Sequence, residues 1–80
     1  MRQKKPFLII TFSATADDMA LEKYCLERDL PGRLRPRPRE LHAGCGLAWK
    51  TQPEEQPRFD AVLSDAGVRC EAMKILELWG

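Results

Sequence analysis

The sequence predicts an α+β domain whose four strands and two helices follow the order β-α-β-β-α-β. Three observations support this order: short β-branched and aromatic runs bounded by turn residues, two segments with helix signals, and an arginine-rich segment that alternates with period two. In a chain of 80 residues, the order fits the ferredoxin-like arrangement, an antiparallel sheet with both helices on one face. We expect a single domain over residues 1–80, with an ordered core at 6–79.

The first strand is predicted at Phe7–Phe12 because this run is short, β-branched and aromatic. Ser13 or Thr15 offers an N-cap for a helix over 16–29, and Pro31 follows its end. The predicted apolar stripe of this helix comprises Met19, Leu26 and Leu30, with Ala20 and Tyr24 beside it.

The segment 33–39 alternates between arginine and either leucine or proline. In an extended chain the arginines share one side, and Leu34, Pro36 and Pro38 share the other. Proline has no N–H for a strand ladder, so this second strand must lie at an edge of the sheet. The ferredoxin-like arrangement also puts its second strand at an edge.

The remaining elements are a third strand at Leu47–Thr51, a second helix starting near Pro57, and a last strand at Val68–Leu78. The second helix has apolar residues at helical spacing, and Gly67 suits its C-terminal cap. The last strand loses its alternation near Met73, which predicts a bulge. The predicted core comprises Leu8, Ile10, Phe59, Val62 and Leu63, with Trp49 buried or half-buried.

Charge is spread unevenly over a chain whose net charge is only +1. Residues 33–50 carry five cations against one acid, whereas residues 51–80 carry three cations against six acids. A basic segment on a near-neutral domain indicates an anion or an acidic partner. The arginine row is equally consistent with a solvated edge that discourages pairing with another sheet. Nucleic acid is disfavoured because no aromatic side chain is interleaved with the arginines as a stacking platform.

Three cysteines, Cys25, Cys45 and Cys70, form no CxxC pair, which argues against a disulfide framework and a zinc site. We therefore expect no metal and no cofactor. The run Phe7–Phe12 is too short to cross a membrane, and no cleavage site follows it, so we expect a cytoplasmic protein with reduced thiols. So small a core is compatible with a homodimer.

Cys45 lies between Gly44 and Gly46, close in sequence to His42 and the arginines. Glycines permit close approach of another molecule, neighbouring amides can form an anion-binding nest, and nearby cations lower a thiol pKa. A cysteine tucked under a tight turn, with the glycines serving only that turn, is the alternative. His42 is either a hydrogen-bond or proton donor to the group on Cys45 or a surface residue. We interpret Cys25 and Cys70 as residues that pack in the apolar interior.

The segment Pro38–Leu41 followed by Cys45–Ala48 resembles the selenium/sulfur carrier-like family of small bacterial proteins. The opening "LIITF", Glu22 and the "DAGV" turn at 65–68 extend the resemblance over most of the chain. It implies a cytoplasmic carrier with sulfur or selenium bound at Cys45. The Cys-Pro-x-Pro motif of well-known sulfur carriers is absent, so their mechanism does not transfer directly.

The sequence thus favours a carrier, rather than a turnover enzyme, that holds sulfur or selenium on Cys45 as a persulfide or selenosulfide between donor and acceptor proteins. Arg37, Arg39 and His42 are expected to stabilise the anion, and Gly44 and Gly46 to leave the sulfur accessible. The alternative is a non-catalytic interaction domain whose basic edge docks an acidic partner or an anion. The sequence does not distinguish sulfur from selenium.

Overall fold

A computed structural model describes residues 3–39, 41 and 46–79. Four strands, β1 (Lys4–Thr11), β2 (Arg33–Pro36), β3 (Leu47–Thr51) and β4 (Ala72–Trp79), form one sheet in the order β2-β3-β1-β4, and each neighbouring pair is antiparallel. The helices are α1 (Thr15–Arg28) and α2 (Gln56–Ala66), and a 3₁₀ turn at Pro53–Glu55 precedes α2. The predicted α+β ferredoxin-like fold is confirmed, including the edge position of β2.

One face of the sheet packs against both helices and holds the main core. Leu8 and Ile10 of β1 meet Leu21 of α1 and Phe59 of α2, and the Trp49 ring centroid lies 6.1 Å from that of Phe59. All five predicted core residues are buried, as is Trp49. Burying a side chain of this size contributes roughly 1.5–3 kcal/mol, so this cluster is the main stabilising feature of the fold.

The opposite face of the sheet, which we call the open face, carries a smaller apolar cluster. Ile9 and Ala48 are buried there beneath Leu41, which reaches the sheet from the β2–β3 connection. Phe7, Leu76 and Leu78 pack around them and remain partly exposed. The open face therefore has an apolar centre although neither α-helix of the described residues covers it.

Helix α1 differs from prediction in its cap and its buried face. Ala14 is the N-cap and makes no side-chain cap hydrogen bond, so the prediction of Ser13 or Thr15 as the N-cap is wrong. Met19 and Leu26 are 61% and 74% exposed, whereas Leu21 and Cys25 are buried. The apolar residues of α1 do not form one clear stripe, so packing against the sheet decides which side is buried.

Helix α2 follows its sequence signals closely. Pro57 lies in the first turn, where its missing N–H leaves no helical hydrogen bond unmade. Gly67 caps the helix in the left-handed conformation at φ 68°, and the Val68 N–H donates to the Leu63 carbonyl oxygen at 3.0 Å. The predicted apolar spacing and glycine cap are confirmed.

Strand β4 begins at Ala72, four residues later than predicted, because Val68 belongs to the helix-side core. Every residue from Ala72 to Trp79 pairs in an unbroken register with β1, so the predicted bulge near Met73 is wrong. Pro6 of β1 precedes the stretch that pairs with β3, which begins at Leu8. The absent proline N–H therefore breaks no bond between these two strands.

Candidate functional site

The connection between β2 and β3 is closed by a backbone hydrogen bond at its base. The ladder ends at the pair Pro36–Leu47, and the Arg37 N–H then donates to the Gly46 carbonyl oxygen at 2.9 Å. This bond extends the antiparallel pairing by one step and brings the two ends of the connection together. Cys45 immediately precedes Gly46 in the chain, so the predicted thiol adjoins a fixed point of the backbone.

Leu41 provides a second anchor within this connection. Its side chain is only 6% exposed and packs on Ile9 and Ala48 of the open face. Its N–H donates to the Pro38 carbonyl oxygen at 3.1 Å, which closes a turn. The four residues 42–45 therefore lie in the chain between an anchored leucine and the start of β3.

Arg37 contributes to this anchoring through its side chain. Its Nη1 donates to the Leu41 carbonyl oxygen at 2.6 Å, while its Nε is buried and has no hydrogen-bond partner among residues 3–39, 41 and 46–79. The guanidinium thus fixes the turn and keeps one donor uncommitted. Arg37 is partly buried, and Arg39 in the same turn is exposed.

Gly46 is exposed and its backbone does not require glycine. A Cβ built on it meets no atom of the described residues within 4 Å, apart from its chain neighbours, and its φ lies outside the left-handed region. Neither packing nor conformation within the described fold explains why this position lacks a side chain. The predicted site residues Cys45, His42 and Gly44 lie outside the described residues.

The two described cysteines differ in their surroundings. Cys25 is buried on α1, and burial raises the pKa of its thiol to about 11. Cys70 is exposed, so the prediction that it serves packing is wrong. Partial desolvation, and more weakly the charge of Asp60, raises the Cys70 pKa. Neither environment favours a thiolate at neutral pH.

A comparison with known families agrees with this chain's predicted motif. The family described as "Putative Se/S carrier protein-like" matches residues 7–74, from β1 into β4. The chain belongs to this family. The match spans the whole β2–β3 connection, including the Cys-Gly-Leu-Ala segment at 45–48. No match is found among curated proteins or among solved structures.

The structure divides the arginine row of this Se/S carrier family member into two groups. Arg33 and Arg35 lie within β2, whereas Arg37 and Arg39 follow the strand, which ends at Pro36. The Arg33 backbone pairs directly with Lys50 of β3, so the first group faces a lysine distant in sequence. The row is therefore divided between β2 and the β2–β3 connection.

Lys5 and Lys50 join the first arginine group, and neither was among the predicted site residues. Both line a depression on the open face together with Arg33 and Arg35. Lys50 was counted in the basic segment, but its position opposite Arg33 depends on strand register, which the sequence pattern does not give. Lys5 lies in β1, far from the arginines in sequence, and no local signal identified it.

Two general features bear on the class of protein. Among residues 3–39, 41 and 46–79, no three His, Cys, Asp or Glu side chains cluster so as to hold a metal ion. Within the same residues, neither helix is long and apolar enough to cross a membrane.

Proposed function

We propose that this protein carries one sulfur or selenium atom on Cys45, as a persulfide or selenosulfide, between a donor and an acceptor protein. The observation that carries this proposal is the family match over residues 7–74, which includes the cysteine and the Gly-Leu-Ala that follows it. A cytoplasmic setting with reduced thiols is part of the same proposal, because a carrier cysteine must be free to react.

The chemistry is thiol–persulfide exchange and requires no external oxidant. The Cys45 thiolate attacks the outer sulfur of a donor persulfide; the new S–S bond forms as the donor S–S bond breaks, and the donor leaves as a thiolate. An acceptor thiolate then attacks the outer sulfur on Cys45 and releases the Cys45 thiolate. Selenium transfer follows the same balance with a selenium atom in the outer position.

Gly46 supports this proposal because its lack of a side chain has no explanation inside the described fold. Both transfers need an in-line approach to the Cys45 sulfur by a macromolecule, and a side chain on either neighbour would narrow that approach. Gly44 is proposed to act in the same way. The alternative is that the glycines serve only the turn.

Arg37 is proposed to support the anionic persulfide in two ways. Its bond to the Leu41 carbonyl oxygen fixes the connection, and its Nε–H, which has no partner among the described residues, leaves a charged donor for the bound anion. Arg39 is exposed in the same turn and would add positive charge to the surroundings. His42 is proposed as a further donor to the bound atom.

The other cysteines are poor candidates for the carrier role. Cys25 is buried and its pKa of about 11 leaves almost no thiolate at neutral pH. Cys70 is exposed, but its raised pKa also disfavours the thiolate. Their environments make Cys25→Ser and Cys70→Ser suitable controls for Cys45→Ser.

The test is to load the protein with polysulfide, or with a cysteine desulfurase and cysteine, and to measure intact mass and peptide masses. We expect a gain of one sulfur atom on Cys45 that disappears in Cys45→Ser and persists in the two control variants. An adduct that maps to Cys70, or that survives in Cys45→Ser, would contradict the proposal. A parallel loading with the cysteine desulfurase and selenocysteine, in which the outer selenium is transferred from the desulfurase thiol to Cys45 by the same exchange, distinguishes the two elements.

A further inference from the structure

Four cations from three strands surround one depression on the open face of the sheet. Lys5 of β1, Arg33 and Arg35 of β2 and Lys50 of β3 line a cavity of about 520 Å³, which we call the basic depression. Its other lining residues are Phe7, Pro31, Gly32, Thr51 and Gln52.

Strand register explains why these charges meet. Lys50 pairs directly with Arg33 on one side and with Ile9 on the other, and Arg35 lies two residues along β2 from Arg33. Residues two apart on a strand point to the same face, so both arginines flank Lys50 on the open face. The depression is therefore a consequence of pairing between segments that are distant in the chain.

Lys50 lies at the centre of this group and is only partly solvated. Its Nζ lies 4.0 Å from the centroid of the Phe7 ring. Its pKa is lowered first by burial and then by the positive charges of Arg35 and Arg33. The positive charges of Lys50, Arg33 and Arg35 are thus close enough to repel one another.

Among the described residues, no acidic side chain lines the basic depression. Within the described part of the chain, the ion pair that forms is Arg58 with Glu55 near the start of α2, and none of the four cations pairs with a carboxylate. A cluster of like charges without a counter-charge leaves a positive potential in a concave surface, and such a surface concentrates anions.

We propose that the basic depression binds a phosphate-class oxyanion with at least two negative charges. Arginine forks donate two parallel hydrogen bonds to tetrahedral oxyanions, and lysine adds a compact positive charge. The cavity is larger than one phosphate group requires, so it has room for a diphosphate or for a phosphate ester. A diphosphate and a phosphate ester both present the charged phosphate oxygens to which the four cations would bind.

The inference rests on Lys5, Arg33, Arg35 and Lys50 alone, none of which is among the residues proposed to serve Cys45. It therefore stands independently of the carrier function.

The test is a titration of ¹⁵N-labelled protein with orthophosphate, pyrophosphate and adenosine diphosphate, followed by NMR at constant ionic strength with chloride as the reference anion. We expect saturable shifts confined to the amides of 5–7, 32–35 and 50–52, with pyrophosphate tighter than orthophosphate. If adenosine diphosphate binds more tightly than pyrophosphate, the ligand is a nucleotide ester. If it binds equally or more weakly, the site recognises the phosphate groups alone.

Lys50→Met keeps an apolar stem against Phe7 and is expected to weaken pyrophosphate binding by about tenfold, the effect of losing one charge-assisted contact. Lys23→Met, on exposed α1, removes the same charge elsewhere and is expected to leave binding unchanged. Arg35→Gln, at an exposed position, repeats the test without altering packing. Shifts that do not saturate, no shifts at all, or equal weakening by Lys23→Met would overturn the proposal.

Discussion

Gly32 joins α1 to β2 at a point where the fold leaves no room for a side chain. Its φ is 116°, a backbone conformation that residues with a Cβ rarely adopt. A Cβ at this position would overlap the Trp49 indole nitrogen and lie 2.8 Å from the Lys50 carbonyl oxygen. The substitution Gly32→Ala therefore combines backbone strain with a clash against a buried tryptophan.

The two effects can be given magnitudes. Holding alanine in such a conformation costs about 1–3 kcal/mol, and forcing an extra group into a packed site costs about 1–3 kcal/mol. Domains of this size unfold with about 4–12 kcal/mol, so Gly32→Ala removes a large part of the stability. A loss of 1 kcal/mol lowers the Tm by about 4–8 °C in a domain of 60–100 residues.

Gly67→Ala is the matched control. Gly67 also has a positive φ, 68°, but a Cβ there meets no other atom within 4 Å. This substitution carries only the backbone strain, about 1–2 kcal/mol. Thermal and urea unfolding followed by circular dichroism should show a Tm for Gly32→Ala that is at least about 4 °C below that of Gly67→Ala.

Equal losses of stability in the two variants would refute this reasoning, because they would show that Gly32 does not contact Trp49 and the Lys50 backbone. A smaller loss for Gly32→Ala would refute the assigned φ as well. Gly32 and Lys50 both line the basic depression. If Gly32→Ala folds with a shifted backbone at residue 32, it should therefore also bind pyrophosphate more weakly than the unchanged protein.

Two further predictions concern thiol reactivity and the anchor of the β2–β3 connection. In the native protein at pH 7, iodoacetamide should not modify Cys25, because the thiol is buried and a pKa of about 11 leaves about one thiolate in ten thousand. Cys70 should react slowly at pH 7, and its rate of modification should increase as the pH rises. Modification of Cys25 before the protein unfolds would contradict this prediction. Leu41→Ala should lower the free energy of unfolding by about 2–4 kcal/mol because the side chain is buried on the open face. The control Leu26→Ala, at a position 74% exposed, should change it by less than about 0.5 kcal/mol. Equal effects of the two substitutions in urea denaturation would show that Leu41 is not an anchor.

The local signals in this sequence identify the element order and one helix well. Pro57, the apolar spacing of α2 and Gly67 each act within a few residues, so the chain alone determines that helix and its ends. The prolines of the arginine-rich segment likewise determine an edge strand, because a missing N–H restricts pairing in any fold. The Cys-Gly-Leu-Ala segment identified the family without any structural information.

Tertiary structure decided what depends on contacts between distant segments. Packing against the sheet, rather than a clear apolar stripe, buries Leu21 and leaves Leu26 exposed on α1. The hydrogen bond from Arg37 to the Leu41 carbonyl oxygen arises from the folded connection. Strand register brings Lys5 and Lys50 to Arg33. A single chain encodes backbone preference and apolar periodicity locally, whereas register and packing determine which distant side chains meet.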